Sequence, residues 1–367
     1  MDDRTRSLVA VAGTIGLFVC IQLGALALLD PYVVADAQPV EDPSNETNVA
    51  YFFGVILVAT AGMLVAIKFG LERLIKGFVL LSVGWISWLV LDILLTSLDS
   101  PNFANSTVDS AVEALVILLP VAVGLGIVVA LYVHPEWYVI DAAGVLLGAG
   151  SAGLFGLAFT PQLTIVFLVL LAVYDAVSVY GTEHMLTLAE GVSDLNLPVL
   201  LVVPASASFS LLDGDGPQAL QGDEPEDSEA VESSEPGDSG ASEPLASDHA
   251  ALNDDVEDSD PEDPVADRNA IFIGLGDAVM PTILVVSAAY FLRDAAPLYD
   301  LPLIALNLPA LGAMIGTLIG LAGLLGLVLK GRAHAGLPML NGGAIGGYLV
   351  GALLSGIGLV EALGLPL

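Results

Sequence analysis

Two aspartates sit where an acid is costly. Asp175 closes Leu171-Ala172-Val173-Tyr174-Asp175, and Asp277 closes Gly274-Leu275-Gly276-Asp277. Each lies in a long apolar run, with no Lys or Arg beside it in sequence. Charges inside a membrane are expensive and mark function. Two carboxylates that meet in a low-dielectric site cannot easily both ionise, so they share a proton. One can then take a proton from water while the other protonates a carbonyl oxygen or a leaving amine. That is general acid–base hydrolysis of a peptide bond, and it requires no metal or cofactor. Gly274 and Gly276 lack Cβ atoms, so another backbone can come close to the Asp277 carboxylate. The same residues also fit plain helix packing by small residues around an acid that lines a polar cavity.

The elements that must carry these acids are membrane helices. A bilayer core of about 30 Å needs roughly 20 apolar residues per crossing. The sequence predicts nine crossings, near 7–29, 49–68, 74–98, 110–133, 138–158, 161–181, 270–292, 303–329 and 337–360. Gly342-Gly343, Gly346-Gly347 and Gly351 recur at a spacing that permits close helix packing. Arg4, Arg6 and Ala35-Asp36-Ala37 resemble parts of a cleaved leader, but the first apolar run is too long for one, so it reads as an uncleaved anchor.

Composition agrees. Of 367 residues, 55% are hydrophobic and only 14% charged, against about 25% charged in a soluble domain, which excludes an ordinary soluble enzyme. The net charge of -33 excludes nucleic-acid binding through phosphates, which needs clustered basic side chains. Cys20 is the single cysteine, so no intrachain disulfide framework exists. Its apolar surroundings predict an inert, buried thiol. The four His are scattered and no H-E-x-x-H occurs, so no metal site is expected.

Charge is segregated along the chain. Asp213 to Asp267 holds twenty acidic residues and no Lys or Arg, with Ser, Pro and Gly filling much of the rest. Such a stretch cannot bury enough apolar surface to fold, so it reads as a disordered loop. Acids also outnumber bases outside it, which fits a halophilic source; an ordinary acidic linker is the other reading. Just before it, Leu197 to Val203 is too short to span and reads as a short strand, which needs a backbone partner. The chain thus divides into 1–181 with six helices, a loop over 182–269, and 270–367 with three helices.

Lys and Arg set the orientation. With the N-terminus in the cytoplasm, Arg4, Arg6, Lys68, Arg73, Lys76, Arg268, Lys330 and Arg332 fall inside and only Arg293 falls outside. The acidic loop is then cytoplasmic and the C-terminus outside. The sequons at Asn45 and Asn105 both land in outside loops.

At this point the residues resemble a known family. Tyr174-Asp175 and Gly274-Leu275-Gly276-Asp277, on consecutive long helices separated by a large loop, look like the YD and GxGD motifs of the presenilin and signal peptide peptidase family. The family's third motif, Pro-Ala-Leu at the ninth helix, is matched best by Leu337-Pro338-Met339-Leu340, with Met339 replacing Ala. A literal Pro309-Ala310-Leu311 lies in helix eight, the wrong place. The N-in orientation is similar to presenilin, and the relatives implied are archaeal presenilin-like proteases that act without partner subunits. The resemblance implies an all-α polytopic membrane protein of nine helices. It would be an intramembrane aspartyl endopeptidase with Asp175 and Asp277 as its dyad, acting in the cell membrane on transmembrane or signal-peptide-like substrates. Tyr174 would help shape the site, and Pro338 would begin an irregular helix start beside the dyad. Leu200 and Leu201, in the short strand, would pair with an unwound substrate segment, replacing the hydrogen bonds that the substrate helix gives up.

Other polar residues have weaker claims. Asp92 and Asp141 could line a water path or bond neighbouring helices. Glu183 and His184 read as interfacial, with titration of the site as the sharper possibility. Two competing functions stay open. A prepilin-type leader peptidase also carries a GxGD-like motif, but normally has a Lys shortly after the Asp, where Ala278-Val279 stands here. A secondary transporter or ion channel would use intramembrane Asp residues as ion sites, although no duplicated half is evident.

Overall fold

The computed structural model describes residues 3–97, 106–182, 200–204, 209–211, 270–296, 298–301, 304–328 and 335–364. The acidic stretch 213–267, Glu183 and His184 lie outside these. The helices are α1 (Asp3–Ala27), α2 (Leu29–Val34), α3 (Thr47–Lys68), α4 (Glu72–Ser97), α5 (Ser106–Val133), α6 (Trp137–Ala158) and α7 (Pro161–Val177). After a π turn at Ser178–Thr182 come strands β1 (Leu200–Pro204) and β2 (Ala270–Gly274) and helix α8 (Leu275–Phe291). A hairpin of β3 (Leu298–Leu301) and β4 (Ile304–Asn307) precedes α9 (Leu308–Val328), α10 (Gly336–Leu354) and α11 (Leu359–Ala362).

Among the described residues, eight segments are long and apolar enough to cross a membrane; α8 is apolar but only 17 residues long. Many large apolar side chains are exposed, among them Val58, Leu81, Leu118, Ile319 and Leu354, as expected of helices facing lipid tails rather than water. Cys20 belongs to this outer surface. It is exposed, contrary to the expectation of burial, because in a membrane bundle an apolar neighbourhood is as often lipid as protein core.

Two expected helix starts are strands instead. Residues 270–274, predicted as the beginning of helix seven, form β2, and 304–307, predicted within helix eight, form β4. Ile271-Phe272-Ile273 is rich in β-branched and aromatic residues, and β1 supplies a partner in antiparallel register, Leu200 opposite Gly274 through Pro204 opposite Ala270. The backbone need of the predicted strand is therefore met within the chain.

Polar side chains tie the bundle together. Tyr32 Oη donates to Gly150 O at 3.1 Å, Ser287 Oγ to Phe159 O at 2.7 Å and Asn307 Nδ2 to Ala288 O at 2.8 Å, all buried. At the α2 and α8 ends, Arg293 pairs with Asp30 at 3.3 Å.

Helices α9 and α10 meet backbone to backbone. A Cβ at Gly312 would fall on Gly347 O, one at Gly316 on Gly343 O, and the reciprocal additions on α10 would strike Gly316 and Gly312. The small-residue spacing seen in the sequence is the seam between these two helices. Gly356, at φ 82°, ends the last long helix early, so the expected crossing to 360 stops at Leu354.

Candidate active site

Asp175 sits in the last turn of α7 and is 4% exposed. Asp277 is the third residue of α8, in its first turn, and is half-buried. Both carboxylates converge on the start of α10. Leu337 N–H donates to Asp175 Oδ2 at 3.1 Å. A Cβ added at Gly336 would stand 3.2 Å from Asp277 Oδ2. Adjacent residues of one helix start therefore meet both acids. The first N–H groups of a helix have no partner within it, so a carboxylate is a natural acceptor there.

The π turn after α7 contributes a second anchor, as Ala335 N–H donates to Tyr180 Oη at 3.2 Å. Deeper, Asn341 Nδ2 on α10 donates to Leu168 O on α7 at 3.0 Å. Together these hold α10 against the helix that carries Asp175. Gly336, Tyr180 and Asn341 were not singled out in the sequence. Each acts through a partner distant in sequence, 59 positions away for Gly336, 155 for Tyr180 and 173 for Asn341, which no local pattern reveals.

The remaining expected site residues are distributed as follows. Gly274 lies beside Asp277, where an added Cβ would meet its Oδ2 at 3.5 Å; at Gly276 a Cβ would meet nothing within 4 Å. The space beside the glycines is thus open, and the close backbone approach to Asp277 is made by Gly336. Tyr174 turns its ring edge-on to Phe53 of α3, with centroids 6.3 Å apart. Leu275 packs inward on Gly148, and Leu201 is buried against Gly144. Leu200 is half-buried at the end of β1.

Pro338 does not start an irregular helix. It is the third residue of a regular α10, in the first turn, where a missing N–H costs nothing. Met339 lays its Cε 2.9 Å from the Cβ position of Gly323, so a glycine on α9 makes room for the larger side chain. Leu340 is fully buried beside Gly320.

Asp141, expected to line a water path or bond a neighbouring helix, bonds a strand. Its Oδ1 accepts the Val202 N–H of β1 at 2.8 Å. Asp92 is half-buried on α4. Among the described residues, no three His, Cys, Asp or Glu side chains gather as a metal ion would require.

Comparison with known proteins agrees with this arrangement. The profile of the family described as signal-peptide peptidase, presenilin aspartyl protease matches residues 15–357. Two solved structures, each of a presenilin family intramembrane aspartate protease, are similar over nearly the whole chain. One, in space group C222, is 30% identical with a TM-score of 0.58, covering 94% of this chain and 99% of its own. The other, in space group P2, is 30% identical with a TM-score of 0.55, covering 93% and 97%. No curated protein sequence matches. The family and structural matches decide between proteolysis and transport in favour of proteolysis. The chain belongs to the signal-peptide peptidase and presenilin family of intramembrane aspartyl proteases.

Proposed function

We propose that Asp175 and Asp277 are the catalytic dyad with which this multi-pass membrane protein hydrolyses peptide bonds inside transmembrane or signal-peptide-like segments. The observation that carries this reading is the convergence of both carboxylates on Gly336 and Leu337. A water held between the acids gives a proton to the ionised carboxylate as its oxygen attacks the peptide carbonyl. The protonated carboxylate passes its proton to the carbonyl oxygen, forming a neutral gem-diol. When the gem-diol collapses, the carboxyl that gained the water proton protonates the amide nitrogen, the other carboxylate takes a proton from a gem-diol hydroxyl, the C–N bond breaks, and an acid and an amine leave with the dyad again singly protonated. Leu337 N–H holds the Asp175 carboxylate in one orientation through these steps.

The substrate must reach the dyad unwound. Its strand would add to the β1–β2 ribbon, whose second strand runs directly into the helix bearing Asp277. The expectation that β1 itself offers the edge is revised, because β1 is paired with β2 on one side and hydrogen-bonded to Asp141 on the other.

The orientation proposed from Lys and Arg places the N-terminus and residues 182–269 in the cytoplasm and the C-terminus outside the cell membrane. The acidic stretch would be a solvated spacer, suited to a halophilic archaeal cytoplasm, and no partner subunit would be required.

The test is incubation of purified protein with a single-span reporter in lipid vesicles, with product masses read out. Cuts within the span, blocked by a transition-state-mimicking aspartyl inhibitor and lost in Asp175→Ala and Asp277→Ala, are expected. Cleavage retained in both single variants would refute the dyad.

A further inference from the structure

The β1–β2 ribbon has two unlike edges. Val202 sends its N–H toward α6, where Asp141, 7% exposed, accepts it at 2.8 Å. A strand residue whose N–H points away from its partner strand belongs to a non-hydrogen-bonded pair. Val202 stands opposite Phe272, so Phe272 also directs its N–H and C=O away from β1, toward the other side of the ribbon. Pro204, opposite Ala270, is in the same phase, and there its missing N–H costs the ladder nothing. The β1 edge is therefore taken by a buried acid, and the β2 edge is the one that can receive a strand.

Asp141 also fixes the ribbon's position. Beyond β1, Glu136 at the start of α6 accepts Ser210 Oγ at 2.6 Å and Leu211 N–H at 3.3 Å, so the chain around β1 is fastened to α6 at two points. Of these hydrogen bonds to α6, the one to Asp141 lies on the ribbon itself. From Val202 the path to the dyad is short and stiff: across the ladder to Phe272, along β2 to Gly274, and without a loop into α8, whose third residue is Asp277.

We infer that Asp141 is a positioning residue: by holding Val202 N–H it sets where the β2 edge stands relative to the dyad, and so which peptide bond of the substrate is cut. This rests on the dyad and strand-addition reading above. Moving the ribbon along α6 by about one residue, roughly 3.3 Å, would offer a neighbouring bond to Asp175 and Asp277.

The experiment measures the masses of reporter fragments, with kcat and KM, for full-length wild type and variants in lipid vesicles. Asp141→Asn keeps an acceptor at Oδ1 and is expected to cut the wild-type bond. Asp141→Leu removes the acceptor; cuts should spread to adjacent bonds, with kcat/KM lowered about 10- to 100-fold, the worth of a buried hydrogen bond to an ionisable acceptor. Asp141→Glu keeps an acceptor but carries it one methylene further, so its main cut should shift, which serves if the Leu variant does not fold. Glu136→Gln, which acts beyond the ribbon, should leave the cut bond unchanged. A role in folding alone would lower the amount of active enzyme without moving the cut. An unmoved cut in Asp141→Leu and Asp141→Glu would overturn the inference. Silence of the wild-type enzyme would overturn the dyad reading, and this inference with it.

Discussion

Leu337 gives its backbone N–H to Asp175 Oδ2 at 3.1 Å, across 162 positions of sequence. The residue before it, Gly336, has its Cβ position 3.2 Å from Asp277 Oδ2. One helix start thus meets both acids, and its backbone can be altered without touching either of them.

Leu337→Pro deletes that N–H. Proline is tolerated in the first turn of a helix, and Gly336 before it has no Cβ to clash with the ring. The variant should stay folded while reporter cleavage falls about 10- to 100-fold, the range for a hydrogen bond to a charged acceptor. Unchanged cleavage in a folded Leu337→Pro protein would show that this bond does not orient Asp175.

Gly336→Ala presses on the other acid. Its methyl group would crowd Asp277 Oδ2, while Leu324 Cδ2 at 3.5 Å is in ordinary contact. The carboxylate can move by a few tenths of an ångström, so thermal stability should hold. Displacement of a reacting group is costly to rate, and cleavage should fall about tenfold or more. Full activity would mean that the Asp277 position is not critical to that tolerance.

Gly276→Ala separates stability from function. The position is exposed, helical and open, with nothing within 4 Å of an added Cβ. Alanine there should stabilise the protein by about 0.5–1 kcal/mol. If the open space beside Asp277 receives the substrate backbone, kcat/KM should nevertheless drop. A variant that is both more stable and equally active would leave that space without a role.

The glycine seam gives a pure packing test. A Cβ at Gly343 would strike Gly316 O on α9, whereas one at Gly342 would meet nothing within 4 Å. Gly343→Ala should therefore cost about 1–3 kcal/mol or more, as overpacking does. Gly342→Ala should be neutral or stabilising. Thermal unfolding of the two purified variants in detergent distinguishes them, and equal melting temperatures would contradict the backbone contact.

Much of this was legible in the residues. Apolar runs of crossing length give the helices, because a bilayer permits few alternatives. The acids at 175 and 277 stand out because nothing beside them in sequence compensates their charge. The strand before the acidic stretch was also legible, from its β-branched residues and bounding prolines. Its partner was not: Ala270–Gly274 is as apolar as a helix start, and only Leu200–Pro204, far away in sequence, makes it a strand. The role of Asp141 was hidden for the same reason, since Val202 is 61 positions off. Cys20 shows a different limit. Hydropathy reports that a residue avoids water, and cannot tell lipid from protein interior.

The most direct measurement is the rate of reporter cleavage by Asp175→Asn and Asp277→Asn beside wild type, with folding checked by thermal unfolding. Asparagine keeps the shape of each side chain but cannot exchange the proton. Both variants should remain folded and lose about 10²- to 10⁴-fold in rate or more, the range for a general acid or base. Wild-type cleavage by either folded variant would contradict a two-aspartate mechanism.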